Sequence, residues 1–115
     1  MRYLCIYRSG KPESDEPPTA EHMADMGKLI GEMAQAGVLL ATEGCAPSAD
    51  GLRLRIASGR VSVTPGPFPE KDLVTGFALI QVKSREEAIE WGKRFLKIVG
   101  EGESEIRQIR ELPAA

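Results

Sequence analysis

The chain has 115 residues, 42% of them hydrophobic and 28% charged, with a formal net charge of −2. That length suits one domain over residues 1–115, and the composition is too apolar for a disordered segment. No basic cluster runs along a face, which argues against nucleic acid as a partner, and no apolar run approaches the roughly 20 residues needed to span a bilayer.

The chain opens on a strand. Tyr3, Leu4, Ile6 and Tyr7 are apolar on both parities and are bounded by Ser9-Gly10, the pattern of a central strand over Met1–Arg8. Residues 9–18 hold three prolines, a glycine and four charges, so they form a loop. Thr19 then caps a first helix. Its inward face is read from Met23, Met26, Ile30, Met33 and Ala34, and Gly37 closes it. Val38–Ala41 is a second strand running into Thr42-Glu43-Gly44.

Leu52, Leu54 and Ile56 alternate with Arg53 and Arg55, the signature of a half-buried strand with a basic outer face. Ser58-Gly59 is a hairpin turn, and Val61 and Val63 continue the alternation on the return. The segment Thr64-Pro65-Gly66-Pro67-Phe68-Pro69 is stiffened by three prolines. Gly66 is expected to adopt an unusual φ there, and Phe68 to plug the core. Phe77–Val82 is the most apolar strand. Ser84 and Glu87 form a capping box for a second helix, whose inner side carries Ala88, Trp91 or Gly92, Phe95 and Val99. Gly100–Ser104 reads as a turn, and Ile106, Ile109 and Leu112 as a last strand.

The order β-α-β, hairpin, β-α-β is the ferredoxin-like βαββαβ arrangement with an extra β-hairpin. This is an α+β fold with an antiparallel sheet and helices on one face. The other face is then bare, and a homodimer with sheet packed on sheet is the expected remedy.

Val63-Thr64-Pro65-Gly66-Pro67-Phe68, Glu70-Lys71-Asp72 and Gly76-Phe77-Ala78-Leu79-Ile80 resemble the signature of YCII-related proteins of the DGPF type. Ser84-Arg85-Glu86-Glu87-Ala88-Ile89-Glu90-Trp91 is similar to the start of that family's second helix, and Gly37-Val38-Leu39-Leu40 with Glu43-Gly44 to its second strand. The resemblance implies a dimeric α+β barrel. It also implies a His–Asp pair in some members, and a link to alternative sigma factors that points to a role near transcriptional control. Pro65 stands where the namesake Asp is usual, so no mechanism resting on that carboxylate carries over.

His22 is the only imidazole and the candidate acid–base group, with Asp25 or Glu43 as its orienting carboxylate. Its plain alternative is a surface histidine in a first helical turn. Gly66, Pro67 and Phe68, with Glu70 and Lys71, are candidate ligand-binding residues. The bland reading of that loop is a rigid turn, and of Glu70, Lys71 and Asp72 a solvated cluster. Two dispersed cysteines and one histidine make no standard zinc site. There is no phosphate loop, nucleophile elbow or paired-histidine motif, so no metal or cofactor is expected. Cys5 reads as a small core hydrophobe, and reduced thiols fit a cytoplasmic protein.

Two functions follow. One is an enzyme-like dimeric domain that binds a small organic acid or phenol-like ligand, with acid–base chemistry. The other is a non-catalytic protein-interaction module.

Overall fold

The computed structural model describes residues 1–113. Strand β1 spans Arg2–Ser9, helix α1 Ala20–Gln35, β2 Leu39–Gly44, β3 Leu52–Ala57, β4 Arg60–Pro65, β5 Gly76–Gln81, helix α2 Arg85–Val99 and β6 Gly102–Gln108. Four strands form an antiparallel sheet in the order β2-β5-β1-β6, and β3 and β4 form a separate hairpin. β1 is central, as expected, and its central neighbour is β5, the most apolar strand. The fold is ferredoxin-like α+β with the hairpin inserted between its second and third sheet strands.

Local chemistry sets the helix ends. The Thr19 hydroxyl accepts the His22 N–H at 3.1 Å. At the other end of α1, Gly37 has φ 72°, its N–H donates to Ala34 O, and the Val38 N–H donates to Met33 O. This pair of bonds is a Schellman motif, and it turns the chain directly into β2. The Ser84 hydroxyl accepts the Glu87 N–H at 3.1 Å. The Glu87 carboxylate reaches back one residue further than in a standard capping box, to the Lys83 N–H at 3.1 Å. Helix α1 is tied to α2 by an ion pair between Glu32 and Arg94.

The core lies between the sheet and the helices. Tyr3, Val38, Ile80 and Val82 meet Leu29 and Met33 of α1 and Ala88 of α2. Because Tyr3 and Tyr7 point to the helices, strand alternation turns Leu4 and Ile6 to the opposite face. There they pair across the ladder with Leu79 and Phe77. Among the described residues no helix covers that face, as expected.

Four expectations need correction. The inner face of α1 is His22, Met26, Leu29, Ile30 and Met33, whereas Met23 and Ala34 are exposed. A helix face repeats every 3.6 residues, and the observed face keeps Met26, Ile30 and Met33 but turns toward His22 and Leu29 and away from Met23 and Ala34. The hairpin strands are not half-buried: every residue from Leu52 to Pro65, strands and turn alike, is exposed. β6 starts inside the expected turn, because Gly102 pairs with Ser9, and Leu112 lies beyond its end. Gly66 does not have positive φ; its role is a close backbone approach, described below.

The hairpin makes the molecule flat and wide, 46 × 45 × 18 Å, with a radius of gyration of 16.2 Å. A compact chain of this length has a radius of about 13 Å. Its turn has φ 50° at Ser58 and 76° at Gly59, the left-handed pair of a type I′ hairpin.

Candidate functional site

A cleft of about 810 Å³ opens between the sheet and the helices. Its floor is the helix-facing side of the sheet, including Cys5, Tyr7 and Ala78. Met26, Ile30 and Met33 of α1 form one wall, and Trp91 and Phe95 of α2 another. The Tyr7 and Phe95 rings pack edge to face, 5.1 Å apart. The Tyr7 hydroxyl is already committed, donating to Glu101 O at 3.1 Å. The volume and the apolar lining suit a small organic ligand.

The third wall is the loop from Gly10 to Pro18, which runs as a strap between β1 and α1. Glu13 pins it. One carboxylate oxygen of Glu13 accepts the Ser48 N–H at 2.7 Å, and the other accepts the Ser48 hydroxyl at 2.7 Å. The Ser48 hydroxyl in turn accepts the Phe68 N–H at 3.1 Å. One serine thus joins the strap to the Gly66-Pro67-Phe68 loop.

Gly66 is required by this junction. A Cβ at this position would lie 1.8 Å from Ser48 O and 2.7 Å from Ser48 C. The Gly66 N–H also donates to Gly51 O at 2.9 Å. Phe68 packs at the base of the hairpin and not in the core, with the Arg53 guanidinium 4.0 Å above its ring. Arg53 also reaches Asp72 at 3.4 Å, so one of the supposedly solvated arginines is structural.

The candidate residues therefore divide. His22 lines the cleft on the same helical face as Met26, half-buried, with no hydrogen bond to its ring among the described residues. Glu43 lies within β2, exposed, at the rim of the same cleft. Asp25 is exposed on α1 and does not line the cleft, so the structure does not join it to His22 there. Gly66, Pro67, Phe68, Glu70 and Lys71 do not line the cleft either; Glu70 and Lys71 sit on an exposed 3-10 turn. Phe68 lines a smaller hollow of about 480 Å³ at the hairpin base. That hollow shares Glu13, Cys45 and Leu73 with the cleft.

Burial pushes the Cys5 thiol from its ordinary 9.0 up to about 11. It is a thiol, not a thiolate, at neutral pH and offers no nucleophile to the cleft. Among the described residues no group of three or more His, Cys, Asp or Glu side chains is placed to hold a metal. What the cleft offers chemically is one imidazole against an apolar, aromatic-walled space, with carboxylates at the mouth. Sequence reasoning missed the strap carboxylate Glu13 and its partner Ser48. Their 35-residue separation leaves no local pattern, and only the prolines at 12, 17 and 18 mark the strap as rigid.

A ferredoxin-like domain with a ligand-sized cleft under its helices is the class of protein these features define. The family model of the YCII-related domain matches residues 1–113, and the chain belongs to that family. No curated protein matches the sequence. Among the described residues no helix is long and apolar enough to cross a membrane.

Proposed function

We propose that the cleft binds a small, largely apolar organic molecule bearing a phenol-like hydroxyl, and that His22 exchanges a proton with it. The observation carrying this reading is His22 itself, on the cleft-facing side of α1 among methionine and aromatic walls, with its ring nitrogens unengaged by the described residues. A neutral hydroxyl fits better than a carboxylate. Glu13, Glu16 and Glu43 line the cleft with Lys11 as the one lysine, and an anionic ligand meets repulsion from these acids. Glu43 rather than Asp25 assists His22, a reading supported by Glu43 lining the same cleft while Asp25 does not. The domain works as a homodimer, with the bare faces around Leu4, Ile6, Phe77 and Leu79 packed on one another.

The test is thermal shift and calorimetry with matched phenols and benzoates. A phenol present at a hundredfold its dissociation constant stabilises the fold by about 2.7 kcal/mol. His22→Ala retains the fold and weakens phenol binding at least tenfold. Equal stabilisation by benzoates, or undiminished phenol binding by the variant, refutes the assignment.

The second reading, a non-catalytic interaction module with a role near transcriptional control, draws support from the apolar hairpin that stands clear of the domain. Capture of a specific regulatory protein by the intact chain, with the cleft indifferent to every ligand, would favour it.

A further inference from the structure

The β3–β4 hairpin presents an amphipathic surface with nothing on it. Leu54 pairs with Val63 and Ile56 with Val61 across the ladder, and Leu52 lies two residues from Leu54 on the same side. These five residues are 58–70% exposed. Together they make a patch on the order of 500 Å², the size at which exposed apolar surface marks a contact site. A lone two-stranded hairpin is marginally stable in water, so a cover on this patch would also stabilise the arm.

We infer that this arm packs, through that apolar side, on a second copy of the chain. The inference extends the sheet-to-sheet pairing proposed above and rests on it. Area supports it first. Leu4, Ile6, Phe77 and Leu79 are already half-buried within one copy, so these four apolar side chains alone supply far less than the roughly 800 Å² per partner that a stable interface needs. In a two-fold pair each copy gives one arm and receives one. The arm then adds its own patch and the surface that receives the partner's, on the order of 1,000 Å² per copy, which closes the gap.

Charge supports it second. Residues 52–65 carry three basic residues, Arg53, Arg55 and Arg60, and no acid. The rest of the chain carries the other 12 basic residues against all 17 acidic ones, a formal −5. Arg55 and Arg60 have no ion pair among the described residues. A basic arm is complementary to the acidic body of its own twin. An anionic membrane would also attract arginines, but the arm has no Trp, Tyr or Lys, the residues that anchor surfaces at a lipid interface.

The experiment is sedimentation equilibrium on the full chain, from about 1 to 100 µM, for the native sequence and for Leu54→Ser/Ile56→Ser/Val61→Ser. These side chains are solvent-exposed within one copy, so the triple variant keeps the native circular dichroism. The expected result is a native dimer and a variant whose dimer dissociation constant rises about a hundredfold. A native dimer with an unchanged constant in the variant overturns the arm and leaves the sheet pairing standing. A native chain that is monomeric throughout overturns both. Native protein that is monomeric and co-sediments with phosphatidylserine vesicles, while the variant does not, assigns the arm to a membrane and overturns the inference.

Discussion

Replacing Gly66 by alanine tests how the cleft is held. The added Cβ would fall 1.8 Å from the carbonyl oxygen and 2.7 Å from the carbonyl carbon of Ser48. Both are backbone atoms, so no side chain can swing aside. The Ser48 turn or the end of β4 must move by more than an ångström to restore a normal contact. That movement strains four bonds: Gly66 N–H to Gly51 O, Phe68 N–H to the Ser48 hydroxyl, and the two from Ser48 to Glu13. At about 1 kcal/mol net for each bond lost, the cost is about 2–4 kcal/mol, a fall in Tm on the order of 10 °C for a chain of this size. The control is Gly44→Ala. Gly44 also sits in the family-like motif, but nothing lies within 4 Å of its Cβ position, so its melting point should move by less than about 2 °C. The assay is thermal melting by circular dichroism, with hydrogen exchange at residues 10–18 as a readout of the strap. Equal melting points for Gly66→Ala and the native chain, or equal losses for both variants, would sink the close-approach argument.

Three further outcomes follow from local chemistry. Cys45 is exposed and Cys5 is packed in the sheet, so iodoacetamide at about pH 8 should label Cys45 and spare Cys5 until the protein unfolds; mass spectrometry that finds both labelled at equal rates contradicts the burial of Cys5. Because burial raises the Cys5 pKa, its contribution to stability is complete below about pH 9 and is lost as pH rises from 9.0 toward about 11. In a urea titration at several pH values, Cys5→Ser should lose that alkaline component. Finally, Ser84→Ala removes the cap of α2 and should cost about 1 kcal/mol in urea denaturation, with Ser84→Gly costing less; no difference from the native chain would mean that the Glu87–Lys83 bond caps the helix alone.

What was legible in the sequence is what neighbouring residues decide. Thr19, Gly37, Ser58-Gly59 and Ser84 act within four residues of themselves, and each does in the structure what its chemistry implies. Element order and the bare sheet face followed from hydrophobic period and connection rules. The frame of α1 did not, because methionine at positions 23, 26 and 33 suits two adjacent helical phases, and only packing against Ile80 and Val38 selects the one that includes Leu29 and His22. The hairpin shows the same limit. Alternation of Leu52, Leu54 and Ile56 with arginines identifies an apolar side without identifying what covers it, and within one copy nothing does.

The Gly66-Pro67-Phe68 loop carries this reasoning one step further. Proline, not an acid, stands at position 65, where it ends β4 opposite Leu52. Yet a carboxylate does reach the junction. Glu13, from the strap on the far side of the cleft, docks on Ser48, and Ser48 holds the Phe68 N–H. The acid therefore lies beside the loop in space although the adjoining sequence lacks it. Its two oxygens are both engaged with Ser48, so it acts by fastening a wall of the cleft. With proline at position 65, the loop still has a carboxylate partner, supplied by a residue distant in sequence. That partner sits on the strap, which is also tied at its start by the Gly10 N–H to Glu101 O bond of 3.0 Å, so the bidentate Glu13–Ser48 contact fastens the middle of the cleft wall.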